Sequence, residues 1–242
     1  MKLFWIVISG GVMNKYNLQR LFCCGVLGLS LVGFSAITIA SSEAEQARLA
    51  RGKAAAAVCA ACHQADGNGL AQAGESAWPR LAGLDATYLE KQLVAFQSGD
   101  RVSPEMEPFA TMLNAEQIKD VSAYFSHLPA NASGGSAQAT DEQLLRGKQL
   151  ALSGDWNKYI AACSSCHGPG NQGVGAAFPD IAGQHSAYIS AQLHAWRDGT
   201  RTGDPLGLMA AVSQRLDDAD IEAVAAWLGT QAPARMDPSI TD

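Results

Sequence analysis

The feature that most constrains this chain is a five-residue pattern written twice, Cys59-Ala-Ala-Cys62-His63 and Cys163-Ser-Ser-Cys166-His167. Cys-x-x-Cys alone is shared by redox dithiols, half zinc sites and haem attachment sites. Two thiols on one helical turn can add to the two vinyl groups of one porphyrin, and a His next in line then falls under the iron as its proximal ligand. Both copies carry that His, and both sit at the same place in an internal repeat. The pattern predicts two covalently bound haem c groups, one on Cys59 and Cys62 and one on Cys163 and Cys166, with His63 and His167 on the irons.

The repeat runs well beyond these motifs. Arg51-Gly52-Lys53 returns as Arg146-Gly147-Lys148, and Trp78-Pro79-Arg80-Leu81-Ala82-Gly83 as Phe178-Pro179-Asp180-Ile181-Ala182-Gly183. Tyr88, Gln92 and Phe96 are answered by Tyr188, Gln192 and Trp196, and Gly99 and Arg101 by Gly199 and Arg201. Each half reads as helices joined by long loops, with no sustained β alternation. Asn114 and Asp217 are N-cap residues for a last helix in each half, followed by Ile118, Val121 and Phe125 and by Ile221, Val224 and Leu228 at helical spacing. Leu128-Pro129 and Gly229 mark where these two helices stop. An earlier helix runs from near Asp85 to Gly99, and its twin from near His185 to Gly199. The Gly/Ser-rich stretch from Pro129 to Gln138 reads as a passive linker. The expected layout is a leader over 1–42, a haem domain over 43–128, a linker over 129–139, a second haem domain over 140–230 and a tail over 231–242.

Lys2, Lys15 and Arg20 precede an uncharged apolar run, Leu21 to Ala40, and small and acidic residues follow. That order describes a secretory signal, with Met13 as a candidate start and cleavage after Ala40 or Ala44. An uncleaved anchor is the competing reading, since a run of this length also spans a bilayer. Of the six cysteines, Cys23 and Cys24 fall in the leader and the other four in the two motifs, which leaves none for disulfides, a zinc cluster or a thiolate iron ligand. The formal charge of −6 becomes −9 without the three leader cations. Such acidity argues against nucleic acid as a partner and suits docking to basic patches, unless Arg80, Arg101 or Arg201 reverses the sign at a haem edge.

A haem protein's chemistry depends on the ligand opposite His. Met106 lies seven residues before Leu113 and Met209 seven before Leu216, both on the loop ahead of the last helix. This matched placement selects Met106 and Met209 as the thioether ligands. Met112 corresponds to Arg215 and reads as packing, and Met236 lies in the tail. His127 reads as a helix-end residue, and His185 and His194 as surface residues, with replacement of Met as an iron ligand the alternative for these histidines. The carbonyls of Pro79 and Pro179 are candidates to hold the second ring nitrogen of each iron-bound His. Tyr88, Tyr188, Trp78, Phe178, Phe96 and Trp196 are candidate pocket walls. Gln92, Gln192, Arg101 and Arg201 are candidates to bond haem propionates, with solvated surface as the alternative.

These residues together resemble cytochrome c4, the exported dihaem cytochromes of bacteria. The resemblance covers roughly residues 50 to 230 and rests on the paired Cys-x-x-Cys-His motifs, the Pro-x-Leu/Ile-Ala-Gly pair, and Gln184-His185 followed by Tyr188, Gln192 and Leu193. It also takes in the Gly154-Asp155-Trp156-Asn157-Lys158 approach to the second motif. It implies an all-α protein of two tandem class I cytochrome c domains facing across a pseudo-twofold axis, with His/Met ligation at both irons. It further implies a periplasmic carrier, peripherally associated with the membrane, that passes single electrons from a respiratory donor to a haem-copper terminal oxidase. Departures are Gln64 where Gly commonly follows the motif, Leu84 in place of the Gln kept at Gln184, and four extra residues between His63 and Pro79.

A filled sixth position favours an electron carrier over an enzyme. One rival reading is a dihaem enzyme such as a peroxidase or thiosulfate dehydrogenase, which needs an open or differently ligated haem. The other is a cytochrome subunit of a larger dehydrogenase, as in flavocytochrome c.

Overall fold

The computed structural model describes residues 43–71, 77–133, 138–204 and 206–234. The leader, Met236 and part of the linker and tail fall outside these. The chain divides into two compact units, 1–47 and 48–242. Residues 43–47, the described part of the first, are helical.

The second unit contains both repeats, each with five helices in the same order. The first has α1 (48–55), α2 (Ala60–His63), α3 (Ala86–Ser98), α4 (Glu107–Thr111) and α5 (Ala115–Ser126). The second has α6 (Asp141–Leu152), α7 (Ser164–His167), α8 (Ser186–Arg197), α9 (Leu208–Ser213) and α10 (Asp218–Gly229). Between α2 and α3 a short antiparallel pair, β1 (Leu70–Ala71) and β2 (Ala77–Trp78), was not legible in the sequence; it is too brief to show alternation. Among the described residues no helix is long and apolar enough to cross a membrane.

Caps set the helix boundaries. Asn114 and Gln117 form a capping box at α5, and Thr140 and Gln143 do the same at α6. The Asp217 carboxylate accepts from the Asp220 amide at α10, and the Asp85 carboxylate accepts from the Tyr88 amide at α3, which closes on Gly99 in the left-handed region.

The repeated Arg-Gly-Lys now has a physical reason. A Cβ on Gly52 would lie 2.1 Å from the Asp120 carbonyl oxygen, and one on Gly147 2.0 Å from that of Ala223. Only Gly lets the first helix of each repeat cross the last in backbone contact. The preceding Arg clamps the crossing: Arg51 Nε donates to Asp120 at 2.7 Å, and Arg146 Nε to Asp220 at 2.8 Å. Above these crossings sit two apolar cores. One joins Leu84, Leu89, Val121 and Phe125; the larger joins Leu150, Ile160, Leu193, Ile221, Val224, Trp227 and Leu228.

The linker is not passive. The Asn131 amide donates to Asn68 of the first repeat, while Ser133 donates from its amide to the Gly183 carbonyl and from its hydroxyl to those of Gln184 and Gly229. Small polar residues look like spacers in sequence, but they also fit narrow seams and carry donors.

Gly147→Ala is expected to destabilise the folded protein by about 1–3 kcal/mol, because the added methyl meets backbone that cannot yield. Chemical denaturation of the haem-loaded protein measures it, with the exposed Lys148→Ala expected to change little.

Candidate haem sites and their junction

Each Cys-x-x-Cys-His forms a single helical turn, closed by hydrogen bonds of 2.9 Å that the His63 amide donates to the Cys59 carbonyl and the His167 amide to the Cys163 carbonyl. Both cysteines and the His of a motif therefore share one short face. The His rings are buried, and Nδ1 lies 2.9 Å from the Pro79 carbonyl oxygen in His63 and 2.8 Å from that of Pro179 in His167. A carbonyl only accepts, so Nδ1 carries the proton and Nε2 keeps its lone pair. Burial holds both rings below the usual histidine range, and the carbonyls only partly offset it. The rings are thus neutral, the form that ligates a metal.

Glycine brings the proline segment this close. Gly69 and Gly173 lie at φ +70° and +89°; a Cβ on Gly69 would stand 2.6 Å from the Pro79 carbonyl carbon, and one on Gly173 2.7 Å from the Asp180 amide nitrogen. Phe178 packs edge-on against His167, with ring centroids 6.1 Å apart.

Burial pushes the Cys59 thiol up and the Cys163 thiol up to about 11. Redox dithiols and zinc sites need the opposite shift. Among the described residues no group of three or more His, Cys, Asp and Glu is arranged to hold a metal ion. The chemistry of this donor set fits thioether attachment of a porphyrin over a neutral imidazole.

Met106 is the N-cap of α4 and Met209 the second residue of α9; both are half-buried, and Met209 packs against the second core together with Cys163. Both loops are fixed at corresponding points. The Met106 amide donates to the Ser103 hydroxyl at 3.2 Å, and the Met209 amide to the Asp204 carboxylate. Met112 is 62 % exposed rather than packed.

Tyr88, Tyr188, Phe96 and Trp196, read as pocket walls, and Gln92, Gln192, Arg101 and Arg201, read as propionate partners or solvated surface, meet across the junction of the repeats. Arg101 and Arg201 face each other through an antiparallel backbone bridge and are only 8 % and 6 % exposed. Arg101 donates to Gln92 at 2.9 Å, Gln192 at 2.7 Å and the Tyr188 hydroxyl at 2.5 Å. Arg201 mirrors it, donating to Gln192 at 2.9 Å, Gln92 at 2.8 Å and the Tyr88 hydroxyl at 3.3 Å. Their guanidinium carbons lie 4.6 Å and 3.9 Å from the ring centroids of Phe96 and Trp196. Surface is thus excluded for both arginines. A periodic reading places residues on a helix, but not on the face that meets the other repeat.

Two buried like charges held only by neutral groups are costly. Burial, and then the Arg101 charge, lower the Arg201 pKa. Among the described residues no carboxylate forms an ion pair with either arginine. An anion supplied from outside the chain would satisfy this junction, and haem propionates have the right chemistry. Arg80 is fully buried too, so none of the three arginines reverses the charge of the outer surface. His185, read as a surface residue, is buried at the same junction with Nε2 2.9 Å from the Asn68 carbonyl oxygen. Half-buried His194 faces Arg197.

The cytochrome c family matches residues 49–129 and again 145–232. The crystal structure of reduced recombinant cytochrome c4 from Pseudomonas stutzeri matches with a TM-score of 0.66 at 32 % identity, covering 74 % of this chain and 96 % of that one. This chain is a dihaem class I cytochrome c of the cytochrome c4 family. The cytochrome carries two covalent haem c groups and is an electron carrier, all-α but for the short β1–β2 pair, built of two tandem class I domains. A thiosulfate dehydrogenase electron acceptor from Thiomonas intermedia (strain K12) is 48 % identical to it over 181 residues, 73 % of this chain and 79 % of the relative. Thiosulfate dehydrogenase from Marichromatium purpuratum matches with a TM-score of 0.69 at 40 % identity, covering 75 % of this chain. The cytochrome spans only 40 % of that enzyme's chain.

One feature separates the two sites. Gly168 follows the second motif at φ +77°, whereas Gln64 follows the first at φ +65°, ψ 158°, a region nearly exclusive to glycine. Gln64→Gly is expected to stabilise the cytochrome by about 1 kcal/mol, the relieved strain less the chain entropy of glycine. Chemical denaturation of the two proteins side by side measures it.

Proposed function

We propose that this cytochrome is the electron acceptor of a thiosulfate-oxidising dehydrogenase. The observation that carries the reading is the 48 % identity to an electron acceptor of thiosulfate dehydrogenase across both repeats. It favours the dehydrogenase-partner alternative over the general carrier between respiratory donor and terminal oxidase. Delivery to a terminal oxidase is then the onward step. The cytochrome is the partner of such an enzyme and not the enzyme: the motifs use all four cysteines of residues 43–242, leaving no thiolate to ligate an iron differently.

In this reading Cys59 and Cys62 hold the first haem and Cys163 and Cys166 the second. His63 and Met106 ligate one iron, His167 and Met209 the other. When bound, each iron takes up and releases one electron at a potential that thioether ligation raises. The chain's part is to hold that ligand set unchanged through the cycle. Pro79 and Pro179 fix the imidazoles, Ser103 and Asp204 pin the methionine loops, and Tyr88, Tyr188, Gln92, Gln192, Arg101 and Arg201 gather the propionates between the repeats. A dehydrogenase releases electrons in pairs, and two one-electron centres in one chain hold a pair.

The leader over 1–42 directs export to the periplasm, with haem domains over 43–128 and 140–230 and peripheral membrane association. Residues 43–242 carry a formal charge of −9, which argues against nucleic acid as a partner. Electron-transfer encounters are small and weak, so long-range charge steers them.

The ligand assignment predicts that Met106→Ala and Met209→Ala each remove about half of the weak near-infrared sulfur-to-iron band of the ferric protein, while Met112→Ala removes none. Loss of the band in Met112→Ala overturns the assignment.

Mixing ferric cytochrome with thiosulfate and a thiosulfate dehydrogenase is expected to reduce both haems. Stopped-flow absorbance should show the rate falling as salt screens the acidic surface. Reduction no faster than with thiosulfate alone overturns the proposed partner.

A further inference from the structure

The repeats differ in charge at one buried position beside both haem sites. Pro79 is followed by Arg80 and Pro179 by Asp180, and these two pair with each other across the junction. Arg80 Nη2 lies 3.2 Å from Asp180 Oδ2, both side chains being almost wholly buried. Arg80 also donates to the carbonyls of Ala82 at 2.6 Å and Ala182 at 3.0 Å. Asp180 accepts from the amides of Ala182 at 2.9 Å and Ala234 at 3.0 Å. The Pro79–Arg80 peptide is thereby clamped from the second repeat.

Gln184 completes the clamp. Its Oε1 accepts from the Arg80 amide at 2.8 Å, and its Nε2 donates to the Arg80 carbonyl at 2.9 Å. The Arg80 N–H belongs to the same peptide group as the Pro79 carbonyl, and that carbonyl faces His63 Nδ1 at 2.9 Å. Carbonyl and N–H of one peptide share a resonance-coupled system. An acceptor on the N–H therefore makes the carbonyl oxygen a stronger acceptor in turn. The chain of contacts runs from Gln184 through the peptide to His63, from one repeat into the haem site of the other. Nothing reciprocates: Leu84 stands at the corresponding position in the first repeat and has no polar group for the Pro179–Asp180 peptide.

We propose that Gln184 of the second repeat is a positioning residue for the proximal histidine of the first haem. It sharpens the Pro79–His63 hydrogen bond and so sets the first potential independently of the second. A stronger acceptor at Nδ1 makes the imidazole a better donor to iron, which favours the ferric state. Gln184 thus lowers the first potential, and Leu84 leaves the second without this control. The inference rests on His63 as the first haem's proximal ligand.

The test uses the full haem-loaded cytochrome with Gln184→Met, of similar length but without polar atoms, and Gln184→Glu, which keeps an acceptor for the Arg80 amide. Proton NMR of the native ferric protein first identifies the hyperfine-shifted ring protons of His63 and His167. Absence of His63 from that set refutes the ligand assignment, whatever the variants do. Following each haem's shifted signals through a redox titration then assigns each potential to its site. In Gln184→Met the reduced-to-oxidised ratio of the first haem at fixed solution potential should rise roughly threefold, the effect of weakening one hydrogen bond by about 10–30 %. The second haem should not move, and the His63 Nδ1 proton should exchange faster with solvent. In Gln184→Glu the first haem should be as easily oxidised as in the native protein, or more so. In Gln184→Met an unmoved first haem or equal shifts in both haems, and in Gln184→Glu a rise in the reduced-to-oxidised ratio of the first haem, overturn the proposal. Should Gln184→Met fail to fold, Gln184→Leu, which copies Leu84 of the first repeat, takes its place with the same expected and overturning results.

Discussion

The hydrogen bond between a buried imidazole and a proline carbonyl is the constraint around which each repeat is arranged. It fixes the tautomer and aims Nε2, while burial keeps the ring neutral. Forming it requires the segment after the haem motif to return to within 3 Å of the ring. Gly69 and Gly173 permit that approach. The Pro-x-Leu/Ile-Ala-Gly turn then secures it, its amides donating back to the carbonyls of Gly67 in one repeat and Asn171 in the other. The crossing of first and last helices, built on Gly52 and Gly147, supplies the rigid wall behind the haem motifs.

The junction of the repeats is the second organising element, and it is polar. It carries a buried arginine–aspartate pair, a pair of arginines sharing two glutamines, and a linker bonded to both sides. Removing one partner from such a set strands a buried charge, so each member of the junction depends on the others. This suits an electron carrier, since the arrangement between the two sites stays constant while the charge at each changes.

Several expectations changed for one shared reason. His185 reads as a surface residue, Arg101 and Arg201 carry solvated surface as an alternative to bonding propionates, and Arg80 is a candidate for an exposed haem edge, because each is polar and follows no apolar period. All four are buried because a second copy of the same pattern covers them. Pro129 to Ser133 looks passive because it lacks large apolar residues, yet its donors stitch the seam. Met112 looked like packing and is exposed, since α4 ends before it and turns it outward.

The sequence by itself determined the local chemistry: two haem attachments, the histidines beside them, a methionine at matched spacing in each half, the helix caps and the twofold repetition. These are legible because covalent chemistry, capping and periodicity act over a few residues, and repetition exposes what is shared. Only the tertiary structure decided how the two copies meet. That Arg80 pairs with Asp180, that Arg101 reaches Gln192 and Arg201 reaches Gln92, and that Gln184 enters the peptide behind His63 are contacts between residues about a hundred positions apart. No period or local propensity encodes such a distance, because the free energy that selects it is the balance of buried charges across the whole junction.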